Sequence, residues 1–286
     1  MPSTTVGFLR VVEVFPPLFP VGSADNAPLE LEQKLDRFVE DVRGVRDFGD
    51  LFLVANVKDP DLLKVSTIEA AFVLQDRIRV RAAPVLVVRD MNRLQFLSSV
   101  VTALSFELDS LMVAWGDRYP SSARATNVRD FASLGSALHE VSSVRRKARS
   151  AMRLLAPIDL TRLGTSQGVA LAKERLRAGA TYLLAQPPTT DADEVFDKHS
   201  RALEKAGLKG SVLLNVFPFR DQKDVGYSEK YFGWKLPPSL HGVASKGEVA
   251  LLDLEKEVVR RMREEGFPGI YLTTRGNPSV AERLLA

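Results

Sequence analysis

Short runs rich in β-branched residues recur along the chain, separated by longer stretches with helical periodicity. The runs are Gly7–Phe15, Asp50–Val57, Ala82–Val88, Ser110–Trp115, Ala151–Ile158, Thr181–Gln186, Ser211–Phe217 and Gly269–Thr273. Between the first two, Leu31, Leu35, Phe38, Val39 and Val42 fall at i, i+4, i+7, i+8 and i+11, one face of a helix. Asp191 with Glu194 three residues on reads as a capping box for a helix that stops at Gly207. Asn277–Pro278 reads as an N-cap followed by proline at the first helical position.

Strands that alternate with helices must run parallel, because a crossover helix is needed to return the chain. Eight such units predict a single (β/α)8 TIM barrel over residues 1–286, with an open eight-stranded sheet as the alternative. Pro16, Pro17 and Pro20 end the first strand and open a long loop. A second insertion, from about Arg220 to Lys246 after the seventh strand, is rich in Gly, Pro and aromatic residues and is expected to cover one mouth.

Composition narrows the chemistry. At 286 residues the chain has the length of one barrel of about 250 residues plus insertions. It has no cysteine, which excludes disulfides, thiolate metal sites and a cysteine nucleophile. Three histidines leave little material for a metal site, and none is expected. A net charge of +3 at this length does not point to nucleic acid. No run of 18 apolar residues spans a membrane, and the start of the chain does not read as a signal peptide, so a cytoplasmic enzyme is expected. The basic cluster Arg145, Arg146 and Lys147 reads as a solvated helix end, and His199 as a packing residue.

In a (β/α)8 barrel the reacting groups sit where strands end and βα loops begin. The polar residues expected there are Glu13, Asn56, Arg89 and Asp90, then Gly116 and Asp117 after Trp115, Asp159, Gln186, Arg220 and Asp221, and Thr274 and Arg275. Glu13, flanked by Val11, Val12, Val14 and Phe15, points into the barrel or its mouth. Burial there would raise its pKa and suit a general acid; a buried ion pair with a barrel arginine is the structural alternative. Asp117 reads equally as a helix cap or turn residue, and Gln186 as a loop contact or a ligand contact. Tyr227, Tyr231 and Trp234 in the late insertion could stack on a planar ring or simply pack.

Taken in order, these residues carry a resemblance. Glu13-Val-Phe-Pro-Pro resembles the Glu-Phe-Phe-Pro-Pro of methylenetetrahydrofolate reductases. Asp90-Met-Asn-Arg93 resembles their Asp-Arg-Asn-Arg, and Gly116-Asp117-Arg-Tyr-Pro120 their Gly-Asp-x-Pro loop. Arg177-Ala-Gly-Ala180 with Ala185–Gln186 is similar to their Ala-Gly-Ala and Thr-Gln, Gly233-Trp-Lys-Leu-Pro237 to their Gly-Val-x-Ile-Pro, and Gly269-Ile-Tyr with Asn277–Pro278 to their chain end.

The resemblance implies a barrel that uses FAD to pass hydride from NAD(P)H to methylenetetrahydrofolate. It implies Glu13 as the acid that opens the methylene-bridged ring, Asp117 as the anion steadying the iminium, and Gln186, Asn56 and Tyr227 as substrate contacts. It also implies Asp90, Trp115, Gly116, Asp159 and Arg175 as cofactor contacts. The chain departs from the family pattern at Val85, where histidine is usual, at Gly168 and Leu171, which replace FAD-contacting Asp and Asn, at Thr273, and at Gly276–Asn277. A different flavin, a deazaflavin or direct transfer from a nicotinamide therefore stays open. So do a pterin-binding subunit without its own reductase activity and a relict assembly subunit, with a homo-oligomer or a partner subunit as further expectations.

Overall fold

The computed structural model describes residues 7–21, 27–56, 62–116, 130–163, 165–186 and 194–286. Asp117 and Asp191, singled out above, lie outside them.

Eight parallel strands close into a barrel: β1 (Leu9–Val14), β3 (Leu51–Val54), β5 (Ala82–Val87), β6 (Ser110–Ala114), β7 (Arg153–Asp159), β8 (Tyr182–Gln186), β9 (Val212–Val216) and β10 (Gly269–Leu272). All eight sequence runs are present, and the open-sheet alternative is ruled out by the pairing of β1 with both β3 and β10. The two remaining strands among the described residues were not read from sequence. β2 (Leu18–Pro20), inside what the prolines had marked as plain loop, pairs antiparallel with β4 (Leu62–Lys64), which follows β3.

Side chains alternate between two apolar layers, as strand geometry requires. Inward positions such as Leu9 and Val11, Leu51 and Leu53, Ala83 and Val85, Met112, Leu155, Leu184 and Leu213 fill the barrel. Outward positions such as Val12, Val14, Phe52, Leu154, Leu214 and Ile270 pack under the helices. A core filled on both faces of every strand explains why the runs are nearly continuous in sequence.

The crossover helices are α1 (Ala27–Arg43), α2 (Thr67–Ile78), α3 (Arg93–Ser105), α4 (Leu134–Lys147), α5 (Ser166–Arg177), α6 (Glu194–Ala206) and α9 (Glu248–Glu264), with α10 (Val280–Leu285) closing the chain. Several start on side-chain caps that satisfy orphan amides. Asn92 accepts from Gln95 N–H ahead of α3, Ser133 and Ser136 form a capping box on α4, and Thr165 accepts from Gly168 N–H on α5. On α1, Phe38, Val39 and Val42 are buried, but Leu31 is 36% exposed, so the apolar stripe is used only in its second half.

The last helix starts later than its sequence signature. Asn277 Oδ1 accepts from Ser279 N–H and Oγ, a local turn that competes with capping, and the helix begins at Val280. Arg145, Arg146 and Lys147 end α4, with Arg145 donating to the Met152 carbonyl.

The late insertion is helical. α7 (Gln222–Phe232) starts on Asp221, whose carboxylate accepts from Asp224 N–H, and α8 (Pro238–Ala244) follows. With Phe217, Phe219 and Leu251 they build a separate small core around Val225, Leu236, Leu240 and Ala244. Among the described residues no helix is long and apolar enough to cross a membrane.

Candidate active site

The barrel interior is aliphatic along most of its length and turns polar at the C-terminal mouth. Parity puts Glu13 there: Val11 faces inward at the level of Tyr271 on β10, and Glu13 is the next inward residue of β1. Glu13 is 8% exposed. The Tyr271 hydroxyl donates to Glu13 Oε2 at 2.5 Å, while Oε1 is buried with no hydrogen-bond partner. The Thr274 hydroxyl donates to the Glu13 carbonyl at 2.8 Å and pins the peptide at the strand end. Burial pushes the carboxyl above its ordinary 4.5, outweighing the Tyr271 hydroxyl and the backbone amides of Arg275 and Thr274, which pull it down. Among the described residues no arginine side chain pairs with Glu13, the structural alternative: the side-chain partner is a phenol.

Glu13 lines a cavity of about 360 Å³ at the mouth. Leu53, Ala55, Val85, Val87, Met112, Ala114 and Pro157 give it apolar walls. Asn56, Gln186 and Tyr271 supply polar tips, and Trp115 and Gly116 close one side. Gly116 is required here. Its φ is +85°, and a Cβ would sit 2.2 Å from Val87 Cγ1. The Arg89 guanidinium lies 5.9 Å from the centre of the Trp115 indole.

A second chamber of about 520 Å³ adjoins the first across Pro157 and Gln186. Ile158, Asp159, Thr161 and Arg175 line it from the barrel side, and Gly233, Trp234 and Lys235 from the turn between α7 and α8. The insertion therefore does lean over the mouth. Asp159 is held by Thr161, whose N–H and hydroxyl both donate to its Oδ1. Arg175 donates to the Pro157 carbonyl, and burial lowers its pKa. Trp234 packs edge-on against Phe217 at 5.2 Å. An indole wall beside two cations and a hydroxyl suits a planar molecule with an anionic extension.

The structure thus brings together Glu13, Asn56, Trp115, Gly116 and Gln186 around one chamber, and Asp159, Arg175 and again Gln186 around the other. Asp90 ends the turn Val88–Asp90 that leaves β5. Tyr227 lies on α7, is 52% exposed and is not among the residues lining these two chambers. Its aromatic neighbour Trp234, left open in the sequence, is the insertion residue that reaches the mouth. Gly168 packs the start of α5 directly on the preceding turn, since a Cβ would lie 2.0 Å from the Arg162 carbonyl oxygen. His199 sits half-buried on α6, its pKa lowered by burial, in keeping with packing.

One cavity-lining residue was missed, Tyr271 on β10. Behind it, Asn215 pairs with it from β9 and donates to Oγ1 of Thr273, the first residue past β10, at 2.9 Å. The available signal was parity: Asn215 interrupts an aliphatic run two residues after inward-facing Leu213.

A closed eight-stranded parallel barrel with a polar, cavity-bearing C-terminal mouth defines the class: a (β/α)8 barrel with the site geometry typical of barrel enzymes. No protein-family model and no curated protein matches the sequence. Solved structures do. The chain is similar to a Clostridium thermocellum protein described as binding two copies of 5-methyl-5,6,7,8-tetrahydrofolic acid, with a TM-score of 0.63 at 11% identity over 96% of this chain and 94% of that one. It is also similar to 2,3-dimethylmalate lyase of the PEP mutase/isocitrate lyase superfamily (TM-score 0.54, 11% identity, 96% and 79% covered). Oxaloacetate acetylhydrolase follows at 0.52, 11%, 96% and 78%. At such identities the likeness is one of fold.

Proposed function

We propose that this barrel binds a reduced folate-type pterin and acts as a methylenetetrahydropterin reductase, with Glu13 as the acid. The observation that carries this reading is a buried carboxyl, its proton affinity raised by burial, with one oxygen lacking a hydrogen-bond partner among the described residues, at the wall of a largely apolar, ligand-sized cavity. Such a group can give its proton to a bridging nitrogen of the substrate. The carbon–nitrogen bond then breaks, its electron pair stays on the protonated nitrogen, and the methylene carbon becomes an iminium. Hydride adds to that carbon and gives the 5-methyl product. General acid catalysis of this kind contributes roughly 10²–10⁴ in rate.

The motif order from Glu13 through Gly116 and Gln186 supports the reading. So does the likeness to a barrel described as binding 5-methyltetrahydrofolate. Gln186, on the wall shared by the chambers, would contact the pterin edge, with Asn56 opposite. In the second chamber, Arg175, Lys235, Thr161 and Trp234 fit the planar and anionic parts of a hydride carrier, FAD or NAD(P)H, or of a second folate. The carrier, when bound, supplies the hydride.

A second reading has one observation in its favour. The neighbour's two bound copies of one folate would suit two adjoining chambers without any redox carrier. The test is calorimetric titration with methylene- and 5-methyl-tetrahydrofolate, followed by an NAD(P)H oxidation assay with and without added FAD. Binding with turnover supports the reductase. Binding of two equivalents without turnover supports the pterin-binding subunit, and no binding ends both readings.

A further inference from the structure

The two oxygens of the Glu13 carboxyl are not equivalent, and the residue that makes them so comes from the other end of the chain. Tyr271 belongs by its ring to the aliphatic filling of the barrel, packed in one cluster with Val11, Leu53 and Leu213. Its hydroxyl emerges from that layer and reaches Glu13 Oε2 at 2.5 Å. Burial, then the Glu13 carboxyl, push the Tyr271 phenol well above its usual value, so the phenol is the donor in this bond. Thr273 acts on Tyr271 in the opposite direction and is itself fixed by the Asn215 amide at 2.9 Å. Asn215 on β9, Thr273 just past the end of β10 and Tyr271 on β10 thus lie in series, ending on the carboxyl of β1.

We propose that Tyr271 is the positioning residue of the site: by occupying Oε2 as a donor it confines the transferable proton of Glu13 to Oε1, the oxygen left without a protein partner. Before transfer, the acid presents a single proton from one known atom. After transfer, the same bond from Tyr271 falls on a carboxylate and strengthens, because a charged acceptor makes a stronger hydrogen bond than a neutral one. Thr273 and Asn215 hold the phenol's orientation and make it a better donor. Of the groups that pull the Glu13 carboxyl down, Tyr271 acts most strongly, ahead of the backbone amides of Arg275 and Thr274, and it is the one side chain among them. Around the cavity Asn56 and Gln186 are neutral amides and the walls are apolar. Arg275 turns its backbone toward Glu13, while its guanidinium pairs with Asp224. The catalytic part of this inference rests on the proposed reductase reading; the placement of the proton does not.

The test therefore uses the ligand-free protein. Difference infrared spectroscopy across a pH titration reads the protonated-carboxyl stretch, assigned to Glu13 by its loss in Glu13→Gln. In Tyr271→Phe the stretch should move to higher frequency as the hydrogen bond to Oε2 disappears. Its titration midpoint should rise by about one unit. Thr273→Val, which keeps the ring in place, should move the midpoint the same way by less and serves if Tyr271→Phe does not fold. An unchanged frequency and midpoint in the folded variants overturns the proposal, whether or not the protein reduces a pterin. If reductase activity is found, Tyr271→Phe should lower kcat about tenfold with KM nearly unchanged and shift the pH profile upward. A loss confined to KM would count against the positioning role.

Discussion

Two carboxyls are buried in this molecule by two different structures, and the contrast separates a carboxyl that faces a ligand-sized cavity from one that ties the fold together. Glu13 sits at the barrel mouth and Glu255 on α9 beneath the insertion, and both are nearly inaccessible. Burial raises the proton affinity of each; at Glu255 the Phe219 N–H and Arg283 oppose the rise, while Asp224 and Glu248 add to it. Proton affinity alone would mark both carboxyls equally as candidate proton donors. The partners say otherwise. Glu255 accepts the backbone N–H of Phe219 at 2.8 Å, which ties α9 to the segment leaving β9, and the cavity beside it is only about 130 Å³. Glu13 is bonded by a side-chain hydroxyl, keeps one oxygen free of partners, and lines a cavity of about 360 Å³. A buried acid is a candidate for chemistry when its remaining valence faces room for a ligand, and a clamp when it closes on the backbone.

The largest expected effect breaks the comparison at Glu13. Glu13→Gln keeps the shape and the Tyr271 contact but has no proton to give. Pterin turnover should fall by roughly 10²–10⁴ while pterin affinity stays within a few-fold. Single-turnover rates and calorimetry would check it, and normal turnover would remove Glu13 as the acid.

Next comes Glu255→Ala, which strips a buried N–H of its acceptor and leaves a void. It should cost about 2–4 kcal/mol in denaturant unfolding without touching pterin binding. Glu255→Gln, close in shape to the protonated side chain, should stay within about 1 kcal/mol of the parent at neutral pH.

A smaller effect lies in the pH dependence of stability. Both carboxyls have folded-state values above the ordinary 4.5. Below 4.5 both folded and unfolded chains hold these protons, and the stability gained by burying neutral acids is intact. As pH rises, the unfolded chain releases its protons first, so stability falls until the folded-state values are passed. The double variant Glu13→Gln, Glu255→Gln should flatten that decline; an unchanged slope would show that neither group is neutral in the fold. Smallest of all, Tyr227→Ala should change pterin affinity by less than about twofold, since the side chain is half exposed and is not among the residues lining either chamber.

The barrel was legible in the sequence because strands buried on both faces leave unbroken aliphatic runs, and eight such runs separated by helical periods have few other solutions. Glu13 and Gln186 were legible for the complementary reason: polar residues at the ends of those runs stand out. Tyr271 did not stand out, since its ring is part of the apolar filling and only its hydroxyl reaches Glu13. Its partnership with Glu13 depends on which strand neighbours β1, which periodicity does not reveal. The ribbon of β2 and β4 escaped because three-residue strands, one ending in Pro20, carry too little pattern. Trp234 could not be told apart from Tyr227 in the sequence, because aromatic content shows that an insertion packs but not which of its rings lines the second chamber.

The bond between Tyr271 and Glu13 spans 258 residues of chain. It crosses the seam where the last strand meets the first, so it cannot exist until the ring is closed. A nascent or truncated chain missing β10 would carry Glu13 on an unpaired edge, in contact with water, with the proton affinity of an ordinary carboxyl. Closing so long a loop costs entropy that only the final contacts repay, which makes seam formation a late event in folding. The tuned acid is therefore a reporter of completed topology, and a circular permutant opened in an exposed loop elsewhere, with β1 and β10 joined, should form it early.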